Sequence, residues 1–233
     1  MSAKKAKIKA ELTEPGPLEV TQPTVRFGLV FLLLVAIYLC ASLTDADWMT
    51  PVLLALSGTT VLTLAVPTRP THQSVLTFLA IIIGATLESI LLATTSRRLS
   101  GFSDLTVAAV LLFAITVIAR SIVRAKRVTA EAVIGAVDMY ILLGLSFGFL
   151  FSGLERVTEV AFFSTEELSS RSDFLYFSFV AMTTLGFGDL APADNYARPL
   201  TVFEVLTGQI ILVVVVARVV SMLGPRDRSD AGT

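Results

Sequence analysis

The stretch with the most chemical potential is Phe177-Ser178-Phe179-Val180-Ala181-Met182-Thr183-Thr184-Leu185-Gly186-Phe187-Gly188-Asp189. Two adjacent threonines lead into two glycines one residue apart, and an acid closes the run. Such a run suits the coordination of a dehydrated cation, with backbone carbonyls and threonine hydroxyls replacing its water shell. Four strands meeting at an axis would complete that shell. Each strand must then aim successive carbonyls the same way. That demands alternating, partly left-handed torsions, which glycine adopts without steric penalty. Leu185 and Phe187, between and beside the glycines, would turn outward into packing. Thr184 would offer both its carbonyl and its hydroxyl at the inner end.

The elements around this run must hold it at membrane depth. The chain is 54% hydrophobic and only 16% charged, with a mean hydropathy of +0.78, whereas soluble chains carry about 25% charged residues. The class is therefore all-α integral membrane protein. Six apolar runs of bilayer-spanning length, about 20 residues each, cover residues 25–43, 48–66, 75–95, 105–123, 132–154 and 200–223. Pro67, Pro70 and Gly101 are expected in the connections, where helix breakers belong. A shorter apolar stretch, 174–183, cannot cross a bilayer and suits a re-entrant pore helix between the fifth and sixth spans. Its C-terminus would present a partial negative charge to a cation. Residues 1–24 read as a disordered arm, 25–130 as a four-helix membrane domain, 131–224 as a pore domain and 225–233 as a short tail. The run 25–43 is too long for the core of a cleaved leader, so it reads as a retained helix.

Loop charges set the orientation. Of the 18 Lys and Arg residues, only Arg97, Arg98, Arg156, Arg171 and Arg198 fall outside when the N-terminus is placed inside, which puts both termini in the cytoplasm. One cysteine, Cys40, and one histidine, His72, give no intrachain disulfide and no zinc-site spacing.

The run 184–189 resembles the potassium-channel signature Thr-Val-Gly-Tyr-Gly-Asp, with Leu185 for valine and Phe187 for tyrosine. The resemblance extends over residues 132–223: outer helix, pore helix, filter and inner helix. It implies K+ held by the carbonyls of Thr184, Leu185, Gly186 and Phe187 and by the Thr184 hydroxyl, with Gly188 closing the outer end. Thr183 would face the cavity at the base of the pore helix. Gly208, in mid-helix, would be a gating hinge or a close-packing point. Two departures bear on the filter. Phe187 has no hydroxyl to bond the pore helix, and Val180 gives Asp189 no acidic partner, leaving Tyr176 as its candidate donor. The filter is expected to be held less tightly than in relatives with tyrosine.

Six helices with the pore last is also the plan of voltage-gated channels. A sensor needs several arginines inside the membrane, because each charge moved is worth about 2.3 kcal/mol per 100 mV. Residues 105–119 carry no charge. Arg120, Arg124 and Arg127 share a helical face at the cytoplasmic end and read as anchors, so strong voltage gating is not expected. Intramembrane acids are candidates for sensing or pairing: Glu88 with Arg97 or Arg98, and Asp138 with Arg120 or Arg124. Glu204 is expected to brace the filter or pair with Arg198. Glu155, Glu159, Glu166 and Glu167 read first as a solvated acidic loop, with cation concentration at a pore mouth as the alternative.

The expectation is a potassium channel in the plasma membrane, working as a homotetramer in a lipid bilayer. No enzyme activity, cofactor, nucleic acid or enzyme substrate is expected, K+ being only the permeant ion. The alternatives are a poorly selective cation channel, or a six-helix transporter or scaffold whose re-entrant loop does not conduct. The gating stimulus is not specified by any motif in the chain.

Overall fold

The computed structural model describes residues 24–43, 50–65, 97–124, 130–164, 169–193 and 196–223. They form six helices: α1 Thr24–Leu43, α2 Thr50–Ala65, α3 Arg97–Arg124, α4 Ala130–Thr158, α5 Arg171–Met182 and α6 Ala197–Leu223. Among the described residues there is no strand, only an isolated bridge between Phe163 and Pro192. Among the described residues three helices are long and apolar enough to cross a bilayer, at Arg97–Arg120, Val133–Thr158 and Ala197–Ala217; α1 and α2 contribute shorter apolar segments, Phe27–Leu43 and Val52–Val61. The expected third span, 75–95, lies outside the described residues, and so does His72.

The apolar runs located the helices, but charge extended two of them. α3 begins at Arg97, before the expected 105, and takes in Arg97, Arg98, Gly101 and Asp104. These were expected in a connection. The helix continues because its polar first turns find partners on α4 and at the residue that caps it: Arg97 Nη2 lies 3.5 Å from Glu155 Oε1 and Arg98 Nε 2.8 Å from Glu159 Oε1. Gly101 is not a breaker here. A side chain at that position would meet Arg156 Cβ at 2.8 Å, so glycine lets α3 and α4 approach closely. α4 likewise runs past 154 to Thr158. It stops where Glu159 turns left-handed, φ 58°, with its N–H donating to Glu155 O at 2.8 Å, a left-handed cap.

α4 is the central element, packed against α1, α3, α5 and α6. One core joins Val30, Leu34 and Ile37 of α1, Leu53 of α2, Val107 and Leu111 of α3, and Leu142 and Leu145 of α4. A second, mostly aromatic core lies on another face of α4, around Leu143, Phe147 and Phe151. Phe151 stacks on Phe162 at 4.4 Å between centroids, Phe163 stacks on Phe174 at 5.0 Å, and Phe177 meets Phe163 edge-on. Such ring pairs add about 0.5–1.5 kcal/mol each beyond area burial. Around this core the segment before α5 is tied to the segment before α6. Ser164 N donates to Ala191 O at 3.0 Å and Ala193 N to Phe162 O at 2.8 Å. The Tyr196 hydroxyl reaches Val160 O at 2.8 Å.

Candidate functional site: the turn after α5

α5 starts earlier than the expected 174, because the Ser170 and Asp173 side chains make a reciprocal capping box over its first turn. That Ser-x-x-Asp spacing was legible in the sequence. Small residues on α4 bring α5 in tightly. A Cβ on Gly144 would lie 2.7 Å from Phe179, and one on Gly148 2.6 Å from Leu175. The four-residue spacing of these glycines in an apolar run was the available signal.

At its C-terminus α5 passes directly into the cation-binding candidate. Thr183 N donates to Phe179 O at 2.9 Å, Thr184 N to Ala181 O at 3.0 Å, Leu185 N to Val180 O at 3.0 Å, and Gly186 N to Val180 O at 3.4 Å. The Thr183 hydroxyl also donates to Phe179 O at 2.6 Å. Residues 184–186 are thus strung from the last turn of α5. Beyond it, φ is positive at Thr184 (63°), Gly186 (55°) and Gly188 (80°). Left-handed torsions at every second residue bring successive carbonyls to one side. At the two glycines this costs little; at Thr184 it carries strain of about 1–3 kcal/mol. Residue typing marked the glycines but not Thr184, since nothing in a threonine's identity signals a left-handed backbone.

The side chains between these positions point away from the chain's own core: Leu185 is 61% exposed and Phe187 66%. The Tyr176 hydroxyl donates to Asp189 Oδ2 at 2.8 Å. That bond raises the Tyr176 pKa above its ordinary value, because the phenol is the donor to a neighbouring carboxylate. Val180 is buried and contributes through its carbonyl.

Three sets of supporting contacts involve partners that were not foreseen. The Met182 carbonyl accepts from the Tyr140 hydroxyl of α4 at 3.1 Å and from Gln209 Nε2 of α6 at 3.0 Å. Gly208 is buried beside it, where a Cβ would sit 2.5 Å from Met182 Cγ, so at this position α6 packs onto the end of α5. At the other end of α5, Arg171 is fully buried. Its Nη2 lies 3.0 Å from Asp104 Oδ1 of α3, while Arg156 Nε lies 3.6 Å from Asp104 Oδ2. Ser152 donates to the same Oδ2 at 2.8 Å. Finally, Ser178 in mid-α5 is hydrogen-bonded with Glu204 of α6.

Several expected pairings are corrected by these contacts. Arg97 and Arg98 meet Glu155 and Glu159; Glu88, their expected partner, lies outside the described residues. Glu155 is buried, not solvated, since it also accepts from Phe162 N at 2.9 Å. With Glu159 engaged as well, neither acid is a free charge in a loop. The Arg98 hydrogen bond holds the Glu159 carboxyl below its ordinary pKa. Glu166 and Glu167 are outside the described residues. Glu204 faces Ser178, whereas Arg198 directs its Nε to Pro192 O at 3.5 Å. Asp138 is buried, and neither carboxylate oxygen has a hydrogen-bond partner among the described residues, so the expected bond to Arg120 is not made. Arg120 is exposed and Arg124 ends α3; Arg127 is outside the described residues. Among the described residues no cluster of His, Cys, Asp or Glu could hold a metal ion.

Residues 136–224 match the family model described as "Ion channel". The matched segment begins in α4 and takes in α5, the turn and α6. No curated protein matches the chain. The match and the three long apolar helices support an ion channel segment within an integral membrane protein, and they point away from an enzyme.

Proposed function

We propose that this chain is one subunit of a potassium-selective channel that conducts K+ passively, with four copies closing the pore. The observation that carries the reading is the alternation of left-handed torsions at Thr184, Gly186 and Gly188, strung from the C-terminus of a short helix. One strand cannot surround an ion, and a ring of four supplies the carbonyls of Thr184, Leu185, Gly186 and Phe187 and the Thr184 hydroxyl. Those oxygens replace water around K+. Non-helical backbone at membrane depth is tolerated only where it lines such a path. Exposure in the single chain fits a ring as well: Val202, Phe203, Leu206 and Ile210 on α6 are each more than half exposed, leaving a broad apolar face for lipid or neighbouring copies.

In this reading α5 is a re-entrant pore helix and 131–224 the pore domain. Residues 25–130 form a four-helix domain lacking gating charges, flanked by cytoplasmic segments 1–24 and 225–233. The full subunit crosses the plasma membrane six times with both termini inside. Gly208 packs the inner helix on Met182 and is the candidate hinge. No cofactor, nucleic acid or enzyme substrate takes part.

The test is the reversal potential of reconstituted protein under a potassium gradient with sodium as the competing ion. The expected value lies near the potassium equilibrium potential, and Gly186→Ala should abolish the current because alanine resists the left-handed torsion. A reversal near zero with robust current would replace this reading with a poorly selective cation channel.

A further inference from the structure

α6 exposes most of its large apolar side chains, yet Glu204 on it is fully buried. Its surroundings offer little to a negative charge. No cation acts on it among the described residues, and Ser178 is its hydrogen-bond partner. Oε2 has none. From α4 it faces Tyr140, whose proton is committed to the Met182 carbonyl. The charged groups of α5 are at its far end, Arg171 on Asp104 and Asp173 on the Ser170 cap, and the Tyr176 hydroxyl is on Asp189. On α6 itself, Arg198 Nε reaches toward Pro192.

Proton counting then decides the state of this acid. Ser178 Oγ lies 2.7 Å from the Gly144 carbonyl oxygen of α4 and is also hydrogen-bonded with Glu204 Oε1. A serine hydroxyl has one proton to donate, and a backbone carbonyl can only accept. An ionised Glu204 can only accept too, so one of the two contacts would lack a proton. A buried carboxylate with at most one donor is also costly. A protonated Glu204 resolves both problems.

We infer that Glu204 is held as a neutral carboxylic acid that donates from Oε1 to Ser178 Oγ, whose own proton goes to the Gly144 carbonyl, so that this two-proton chain ties α6 through α5 to α4. Glu204 and Ser178 are then positioning residues. Ser178 lies two residues before Val180, whose carbonyl holds Leu185 and Gly186. Alkaline pH removes the Glu204 proton to solvent, and the Ser178 proton must then leave either Gly144 or Glu204. One link opens, and α5 loses a constraint close to the residues it suspends. The effect on conduction rests on the potassium-channel reading; the protonation state does not.

The experiment has two arms on the reconstituted full chain. The first is the infrared difference spectrum between wild type and Glu204→Gln at neutral pH. The expected loss is the C=O stretch of a protonated carboxyl; loss of carboxylate bands instead overturns the inference. Ser178→Ala, which spares the acid, should shift that C=O stretch by removing its acceptor, and an unmoved band overturns the relay. The second arm is K+ current against pH. Wild type should lose current on the alkaline side, following the neutral fraction as it falls about tenfold per pH unit above the pKa. Glu204→Gln keeps a donor at this position and should conduct without that decline. An unchanged decline in Glu204→Gln overturns the role in conduction. Absence of any wild-type current counts against the channel reading instead, and the infrared arm still judges the protonation state.

Discussion

The two ends of α5 are held by opposite chemistries. Its N-terminal end carries a buried ionic clasp: Asp104 of α3 takes Arg171 and Arg156 within 4 Å and a hydroxyl from Ser152. Its C-terminal half is held by neutral groups. Val180 and Met182 carbonyls accept from backbone amides, from Tyr140 and from Gln209, and the acid buried against it, Glu204, has a serine for a partner. The difference is one of where fixed charge can be tolerated. A buried carboxylate needs counter-charges and donors on all sides, and Asp104 has them. Beside a proposed cation path, a fixed charge would bind the passing ion too well, since conduction requires that the ion also leave. Hydrogen-bonding dipoles set geometry there with a weaker field.

The contrast can be broken at the clasp first. Asp104→Asn leaves Arg171 and Arg156 buried without their shared anion and should cost about 3–5 kcal/mol, read from denaturation of the purified protein. Replacing Asp104 and Arg171 together by apolar residues should recover part of that loss, because Arg156 is then the one charge of the clasp that remains. Failure of the double variant to recover anything would mean the clasp contributes more than charge compensation.

The neutral end predicts a smaller effect. Tyr140→Phe removes one of two side-chain donors to the Met182 carbonyl and should cost about 0.5–1.5 kcal/mol, since Gln209 still serves that oxygen. A loss equal to that of Asp104→Asn would erase the distinction between the ends. The smallest effect is expected at Arg98, whose pair with Glu159 has both side chains about 60% exposed. Arg98→Ala should leave the melting temperature unchanged within error, because solvent screens an exposed pair. A clear drop would show that the start of α3 and the end of α4 depend on this contact.

By itself the sequence determined what depends on neighbours in the chain. Apolar runs about as long as a bilayer is thick located the described helices, and the glycines at 186 and 188 marked where the backbone must turn left-handed; the cap of α5 at Ser170 and Asp173 was written in the sequence too, but a reading by apolar length starts that helix at 174. Only the tertiary structure decided which distant groups meet. Asp104 and Arg171 are 67 residues apart and Ser178 and Glu204 are 26, and no period or cap carries information over such distances. The beginning of α3 followed the same rule. Arg97, Arg98 and Asp104 look like loop charges in the sequence, and they are helical because α4 and α5 bring the opposite charges to them. The left-handed Thr184 is local in origin, since the Val180 and Ala181 carbonyls of the preceding helical turn fix the amides on either side of it, although threonine itself does not signal that torsion. Local composition chooses which elements form; the partners that make a buried charge tolerable exist only once those elements have packed.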